Sequence, residues 1–270
     1  MTNKYSSIVE SILKGRLEKK LIPTQNRLQK GFTDRMSHLN IAFIVTECIM
    51  TCIEEDDDIF LITLDAQKAF DKLNHEILFN KLYHDGITGD LWTLHRNMYR
   101  DMSVQVKWNN KLTDKIPLEQ GIRQGSTLSP VLYKRYNNTI LNSLQASGLG
   151  AHIGNINVSS PTCADDIALL GCKGHELQAL LDIVQYSIGR DLVTINPKTS
   201  EILNTANRLE CPKVKIDNNE ITEVKEAKHL GLIRKAKNKL NIEDCHSQKS
   251  WVILLMNIHK PNRVMYDVSK

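Results

Sequence analysis

The chain has 270 residues, enough for one or two hydrophobic cores, with a formal charge of +4 and an isoelectric point near 8.6. This mild positive charge is compatible with nucleic acid but too small to identify it as the partner. No apolar run reaches the length of a membrane span, and six cysteines without paired zinc spacing predict a reducing intracellular setting, either cytoplasmic or nuclear.

The N-terminal part predicts helices. Apolar residues recur at helical spacing in two stripes separated by Pro23. The first stripe consists of Ile8, Ile12, Leu13, Leu17 and Leu21, and the second of Leu39, Phe43, Ile44 and Ile49. The acidic run at residues 54–58 is interpreted as an exposed loop rather than a metal site.

A continuous apolar run from Ile59 to Leu64 is typical of a strand buried on both faces, and it ends on Asp65. The next segment, Ala66 to Asp71, predicts the opening of a helix. The apolar positions that follow it at helical spacing are Leu73, Ile77, Leu78 and Leu82. Asp65 is therefore expected at the carboxyl end of a strand, where ligand sites of α/β folds collect.

The middle of the chain alternates predicted strands and helices, with a strand-like alternation at Val104, Val106 and Trp108. The Gly121–Pro130 segment predicts either a phosphate-binding loop before a helix or an ordinary surface loop. The helix after it carries Val131, Leu132, Tyr136, Ile140, Leu141 and Leu144, and a second helix at 174–190 carries Leu177, Leu180, Leu181, Val184 and Ile188.

Two features of the C-terminal part of the sequence predict local structure. Asn218 and Asn219 between alternating runs predict a hairpin over residues 213–224. The basic run 234–239 is either a phosphate-binding segment or a solvated face.

Asp165 and Asp166 lie between two apolar runs, which predicts two short strands with the acids at their turn. Adjacent carboxylates at such a tip repel each other and need a cation, which predicts a metal site. The alternative interpretation is an ordinary acidic turn, because aspartate favours turns. If the strand ending on Asp65 lies beside this hairpin, three carboxylates meet. They could hold two Mg²⁺ ions roughly 3.5–4 Å apart, with Mn²⁺ as the alternative ion.

Five sequence blocks occur in a characteristic order: Leu64–Asp71, Gly121–Pro130, Ala164–Asp166, Asn196–Thr199 and His229–Leu232. Over residues 20 to 235 the chain resembles the reverse transcriptase of non-long-terminal-repeat (LINE-type) retrotransposons. The resemblance implies an α+β fold, a polymerase palm with a ferredoxin-like sheet backed by helices. Partial helical fingers are expected over residues 1–58, the palm over 59–200, and the end of the palm with a primer-grip hairpin and the start of a thumb over 201–270.

The resemblance also implies catalytic roles. Asp65 and Asp165 would bind the metals, with Asp166 as a companion carboxylate. Lys198 matches a lysine that acts on the leaving pyrophosphate, and the alternative is a surface lysine without a role. The ring of Phe70 would lie under the incoming sugar and exclude a ribose 2′-hydroxyl, and the alternative is an ordinary core residue.

Substrate contacts follow in the same way. Gln124 and Gly125 resemble nucleotide-pocket residues, Arg35 is the nearest finger cation, and Leu230 and Gly231 lie in the primer-gripping strand. The implied partners are an RNA template, a DNA primer and deoxynucleoside triphosphates, and the implied reaction is RNA-directed DNA synthesis by two-metal-ion phosphoryl transfer.

The sequence departs from the family at several places. Thr33 follows Gln29–Phe32 where the family has arginine, Cys163 replaces an aromatic residue, and neither the basic finger strand nor an endonuclease segment is visible. We therefore expect weak nucleotide binding and a partial or decayed element. The alternatives are a catalytically impaired nucleic-acid-binding remnant and an unrelated metal-dependent phosphotransferase.

Overall fold

The structure is a computed structural model that describes residues 4–34, 36–66, 70–123, 125–205 and 210–236. Its α-helices are α1 (Lys4–Leu21), α2 (His38–Glu54), α3 (His75–His84), α4 (Gly89–Tyr99), α5 (Ser129–Ala146) and α6 (Gly174–Asp191), with a 3₁₀ turn at Ile22–Thr24. Within the described ranges, no helix combines the length and apolar character needed to cross a membrane.

The strands are mostly short. They are β1 (Phe60–Leu64), β2 (Ser103–Val104), β3 (Lys107–Trp108), β4 (Lys111–Leu112), β5 (Ile116–Pro117), β6 (His152–Ile153), β7 (Ile156–Asn157), β8 (Thr162–Cys163), β9 (Asp166–Gly171), β10 (Glu201–Asn204), β11 (Lys215–Ile216), β12 (Asn219–Glu220), β13 (Thr222–Val224), β14 (Glu226–His229) and β15 (Leu232–Lys235).

Five strands form the main sheet in the order β13-β10-β1-β9-β8, with β1 central and antiparallel to both neighbours. One face of β1 presents Phe60, Ile62 and Leu64 to a core shared with α5 and α6. Its other face presents Leu61 to a core shared with α2. The prediction of a strand buried on both faces is confirmed, and the mixed architecture confirms the α+β class.

A second core lies among helices beside the sheet. Leu13 and Leu17 of α1 pack with Leu78 and Phe79 of α3 and with Tyr133 of α5. Because α5 contributes to this core and to the sheet core, it joins the helical part of the molecule to the sheet. The apolar stripes predicted for α5 and α6 are buried as expected.

The helix does not begin at the described residues of the predicted opening, Ala66, Phe70 and Asp71, and residues 67–69 lie outside the described ranges. Helix α3 begins at His75, and the Asn74 side chain caps it by accepting a hydrogen bond from Ile77 N at 3.1 Å. The carbonyls of Phe70 and Leu73 accept hydrogen bonds from Ile122 N and Gly121 N instead of from helical partners. Because these carbonyls pair with the loop that contains Gly121 and Ile122, the helix begins later in the sequence than predicted.

Both N-terminal stripes are partly wrong. In α1, Leu13, Leu17 and Leu21 are buried, but Ile8 and Ile12 are exposed. In α2, the fully buried positions are Ile41, Ala42, Val45, Thr46, Cys48, Ile49 and Cys52, so of the predicted stripe only Ile49 is buried. Because α2 is apolar around most of its circumference, sequence spacing alone did not identify the face that packs on the sheet.

Two C-terminal predictions need correction. A hairpin of β11 and β12 forms within the predicted range 213–224, but residues 222–224 pair with β10 instead. Its turn residues are Asp217 and Asn218, both with positive φ, one position earlier than predicted. In the basic run, Arg234 is neither solvated nor free for phosphate, since its buried guanidinium donates to Thr46 and to the Ala42 carbonyl of α2. The strand-like alternation at 104–108 falls in exposed two-residue strands.

Candidate active site

The two acidic segments meet at one end of the main sheet. In the antiparallel register of β1 and β9, Leu64 lies opposite Ile167. Asp65 directly follows β1 and Asp166 begins β9, so the two lie at the same end of the paired strands, and Asp165 lies in the turn that precedes β9. Partial desolvation raises the pKa of Asp166, and the charges of Asp165 and Asp65 raise it further. The three carboxylates are therefore close enough to interact electrostatically.

Asp65 is held by the loop that contains Lys198. Its Oδ2 atom accepts a hydrogen bond from Thr199 Oγ1 at 2.6 Å, and its carbonyl accepts from Asn196 N at 2.9 Å. Its own amide donates to Ser200 Oγ at 3.3 Å. The Asn196–Thr199 block is thus folded against the first acid, and the exposed Lys198 lies within this loop.

The chemistry of this donor set suits a hard divalent cation. Carboxylate oxygens are the ligands that Mg²⁺ prefers. The pKa of Asp166 is raised first by burial and then by the charges of Asp165 and Asp65, and a bound cation would offset both effects. In the described parts of the chain, however, no group of three or more His, Cys, Asp or Glu side chains is arranged to hold a metal ion. Water and phosphate oxygens would have to complete any coordination shell.

Phe70 lies in a stack of three aromatic rings. Its ring is parallel to that of Tyr133 with centroids 4.3 Å apart, and the edge of Phe32 meets it at 6.0 Å. Burial raises the pKa of Tyr133, and the charges of Asp165 and Asp166 also raise it, so the stack lies beside the acids. The half-buried Phe70 therefore lies where the helical core meets the acidic edge, so it packs against that core as well as lying near the acids.

The Gly121–Pro130 loop approaches the same region. Gly121 has a positive φ, and a β-carbon there would lie 2.9 Å from the Asp71 carbonyl, so this close approach requires glycine. Gly125 is exposed, and a β-carbon there would have open space. Gln124 lies outside the described residues. The buried Glu10 of α1 fixes the loop by accepting from Ser126 Oγ at 2.7 Å and Thr127 N at 3.2 Å.

The segment Leu28–Thr33 is docked on the acidic turn, a contact that the sequence did not predict. Gln29 and Thr162 form a parallel bridge, and the buried Gln29 side chain bonds both backbone polar groups of Ala164. The half-buried Thr33 turns its hydroxyl toward the Gly31 carbonyl at 3.3 Å. Arg35, the predicted finger cation, lies outside the described residues.

Leu230 and Gly231 form the turn between β14 and β15, where both have positive φ. Leu230 packs against the core beneath α2, whereas Gly231 is exposed. Across the described ranges, no hydrogen bond, ion pair or ring contact joins this turn to the acids. The structure therefore brings together Asp65, Asp165, Asp166 and Phe70 with the loop of Lys198, but not the predicted primer-grip residues.

Several contacts of the site were missed in the sequence: Tyr133 against Phe70, Thr199 on Asp65, and Glu10 on the Gly121–Pro130 loop. For Glu10 a signal existed, because it shares the helical spacing of Leu13 and Leu17 and a lone carboxylate on an apolar stripe indicates a buried partner. Tyr133 and Thr199 depend on tertiary contacts, for which a single sequence carries no local pattern.

Comparison with known proteins agrees with this geometry. The family described as reverse transcriptase (RNA-dependent DNA polymerase) matches residues 1–233. The type-2 retrotransposable element R2DM polyprotein of Drosophila melanogaster is 27% identical over 154 residues, covering 57% of this chain and 14% of that protein. The RNA-directed DNA polymerase from mobile element jockey of Drosophila funebris is 27% identical over 214 residues, covering 77% of this chain and 22% of that protein.

Solved structures show the same fold. Apo telomerase from Candida tropicalis superposes with a TM-score of 0.61 at 12% identity, covering 84% of this chain and 39% of that one. Telomerase from Candida albicans, solved in complex with a TWJ fragment of telomeric RNA, gives 0.55 at 12% identity, covering 86% and 38%. This chain thus spans well under half of each of these relatives.

Proposed function

The chain belongs to the reverse transcriptase (RNA-dependent DNA polymerase) family, and from that membership we propose that it is the core of an enzyme that adds deoxynucleotides to a primer 3′ end on an RNA template. The observation that carries the proposal is the meeting of Asp65, Asp165 and Asp166 at one sheet end beside the Phe70 stack. We assign the fingers to residues 1–58, the palm to 59–200 and the primer grip with the start of a thumb to 201–270.

In this proposal Asp65 and Asp165 bind two Mg²⁺ ions, and Asp166 adds negative charge beside them. The ions would activate the attacking hydroxyl and neutralise charge on the transferred phosphoryl group. The chain itself orients Asp65 through Thr199 and Asn196, so the first acid keeps its direction before substrate arrives. In this proposal Lys198, on that same loop, would donate a proton to the leaving pyrophosphate.

The aromatic stack supports a role in sugar selection. Tyr133 stacks on one face of Phe70, and Phe32 meets the same ring at a right angle. A ring held in this way under the sugar would collide with a 2′-hydroxyl. Gly125 would bind the nucleotide together with Gln124 and Arg35, which lie outside the described residues, and the Leu230–Gly231 turn would support the primer.

Primer extension by the purified chain tests the proposal. The wild-type chain with an RNA template, a DNA primer and Mg²⁺ should add deoxynucleotides, and Asp165→Ala should add none because the ligand is lost. Nucleotide turnover without primer would instead indicate the metal-dependent phosphotransferase.

A catalytically impaired nucleic-acid-binding remnant is the second candidate. It is favoured by the lack, in the described ranges, of a preformed group of three metal-binding side chains, together with Thr33 and Cys163 at positions where the family differs. Template-primer binding that is unchanged in Asp165→Ala, with no extension by the wild type, would identify this function.

Phe70→Val tests sugar selection separately. We expect increased incorporation of ribonucleotides relative to deoxynucleotides, because the smaller side chain leaves room for a 2′-hydroxyl. The matched control is Phe79→Val, since Phe79 is a buried core residue of α3. Equal selectivity in both variants, measured as the ratio of kcat/KM values for the two nucleotides, would show that Phe70 is only a core residue.

A further inference from the structure

Gln29 makes an unusual set of contacts with the acidic turn. The side chain is 2% exposed. Its Oε1 atom accepts hydrogen bonds from Ala164 N and Gly31 N, both at 2.9 Å, and its Nε2 atom donates to the Ala164 carbonyl at 3.1 Å. Because one backbone group is a donor and the other an acceptor, only a side chain with both functions satisfies them together.

The turn that receives these bonds is conformationally costly. Ala164 has φ of +60°, a left-handed conformation that is unfavourable for a residue with a β-carbon. Glycine would adopt it freely, but alanine needs stabilisation from outside the turn. The two hydrogen bonds from Gln29 fall on this residue, which directly precedes Asp165.

The segment that carries Gln29 is itself held at both sides. Lys30 N donates to the Thr162 carbonyl at 3.0 Å, and Thr162 N donates to the Leu28 carbonyl at 2.9 Å. Gly31 packs so closely that an added β-carbon would overlap Ala164 and lie 2.9 Å from the Cys163 carbonyl carbon. On the other side, Asn138 of α5 accepts from Asn26 N at 2.7 Å.

We propose that Gln29 is a positioning residue for the acids: by fixing the backbone of Ala164, it sets the direction in which Asp165 and Asp166 present their carboxylates. The proposal rests on the proposed polymerase function. It also connects the acids to the sugar pocket, because Phe32, three residues after Gln29, meets Phe70 edge-on. Finger segment, acids and aromatic stack therefore form one preorganised unit.

The first test measures the turn without any reaction. Hydrogen–deuterium exchange is followed by mass spectrometry on the metal-free chain, for peptides that span residues 160–168. Gln29→Met keeps most of the side-chain volume but removes the hydrogen bonds, and Gln29→Ala removes both. Both variants should raise the exchange rate of these peptides roughly 10–100-fold, since buried backbone groups lose their partners.

Asn138→Ala is the matched control. It removes a buried amide that holds the same segment but does not touch the acidic turn, so it should raise exchange near residue 26 and leave residues 160–168 near the wild-type rate. If residues 160–168 of Gln29→Met exchange at the wild-type rate, the packing of the side chain is enough to hold the turn and the proposal is overturned. If Asn138→Ala raises the exchange of residues 160–168 as much as Gln29→Met does, general loosening of the segment explains the effect and the proposal is also overturned.

The second test uses primer extension. Gln29→Met should lower kcat roughly 10–100-fold with little change in the KM for deoxynucleotide, as expected for loss of a residue that orients a metal ligand. A changed KM for deoxynucleotide with an unchanged kcat would overturn the proposal that Gln29 positions the acids. If the wild-type chain extends no primer but exchange behaves as expected, the polymerase function fails and the role of Gln29 in holding the turn is supported.

Discussion

Two hairpins that we assign to substrate contact are stabilised in opposite ways. The acidic hairpin, Thr162–Gly171, is held at its turn, where Gln29 bonds Ala164 and Gly31 packs against it. The grip hairpin, Glu226–Lys235, is held along its strands, where Arg234 donates to Thr46 and Ala42 of α2. Its turn, Leu230–Gly231, has an exposed tip with open space around Gly231.

The difference follows from what each hairpin is proposed to do. Carboxylates that bind metal need a fixed direction, because small displacements of a reacting group are costly in rate. A turn that supports a primer has to adjust its position as the primer is extended, so free space at the tip of the turn is favourable. We therefore expect the acidic turn to tolerate change poorly and the grip turn to tolerate it well.

Gly31→Ala and Gly231→Ala provide the sharpest comparison. Gly31 has no room for a β-carbon against the backbone of Ala164, so Gly31→Ala should displace the acidic turn, reduce extension roughly 10–100-fold and cost about 1–3 kcal/mol of unfolding free energy. Gly231 has φ of +81° but open space, so Gly231→Ala should cost only about 1 kcal/mol and leave kcat close to wild type.

Kinetics and urea denaturation of both variants measure these effects. A normal kcat in Gly31→Ala would show that the acidic turn adapts to the added atom, and the contrast between the hairpins would disappear. An equal loss of kcat in Gly231→Ala would show that the grip turn also needs a fixed backbone.

The structural features that the sequence predicted correctly are those that depend on neighbouring residues in the chain. Strand β1 follows from an unbroken apolar run, and the acidic turn follows from two aspartates between apolar segments, so both were located correctly. The apolar positions predicted for α5 and α6 are buried and were also predicted correctly, although α5 packs against two cores.

The parts that were missed depend on distant partners. The contact between Gln29 and Ala164 joins residues 135 positions apart, and no spacing rule links them. The start of α3 was placed too early because the Phe70 carbonyl is taken by Ile122, far along the chain. Arg234 was expected at the surface since charge predicts exposure, but the side chain satisfies two polar groups of α2.

The base of the grip hairpin should be sensitive to acid. His229 is buried, and within the described residues neither ring nitrogen has a hydrogen-bond partner. Burial, together with the smaller effect of the nearby charge of Arg234, lowers its pKa to about 4. The unfolded chain therefore binds a proton below the ordinary histidine pKa of about 6.5 while the folded chain does not, so stability falls as the pH drops from about 6.5 toward 4.

At pH 5 the contribution of His229 should be lower than at pH 7 by roughly 2 kcal/mol. Urea denaturation at both pH values measures the loss, and His229→Leu, which cannot be protonated, should lose less stability than wild type by this amount. An equal pH dependence in the two proteins would mean that His229 finds a hydrogen-bond partner when protonated.

The smallest expected effect concerns the cross-strand ion pair of the grip hairpin. Glu226 and Lys235 face each other in the β14–β15 register, with Oε1 and Nζ 2.9 Å apart. Both side chains keep contact with water, so Glu226→Gln should lower the unfolding free energy by only about 0.5 kcal/mol, and less at high salt. Arg234→Gln, one residue away and buried, is the control and should cost several times more. If the two variants cost the same, this hairpin would be held by surface charge rather than by its attachment to α2, and the contrast with the acidic hairpin would need another cause.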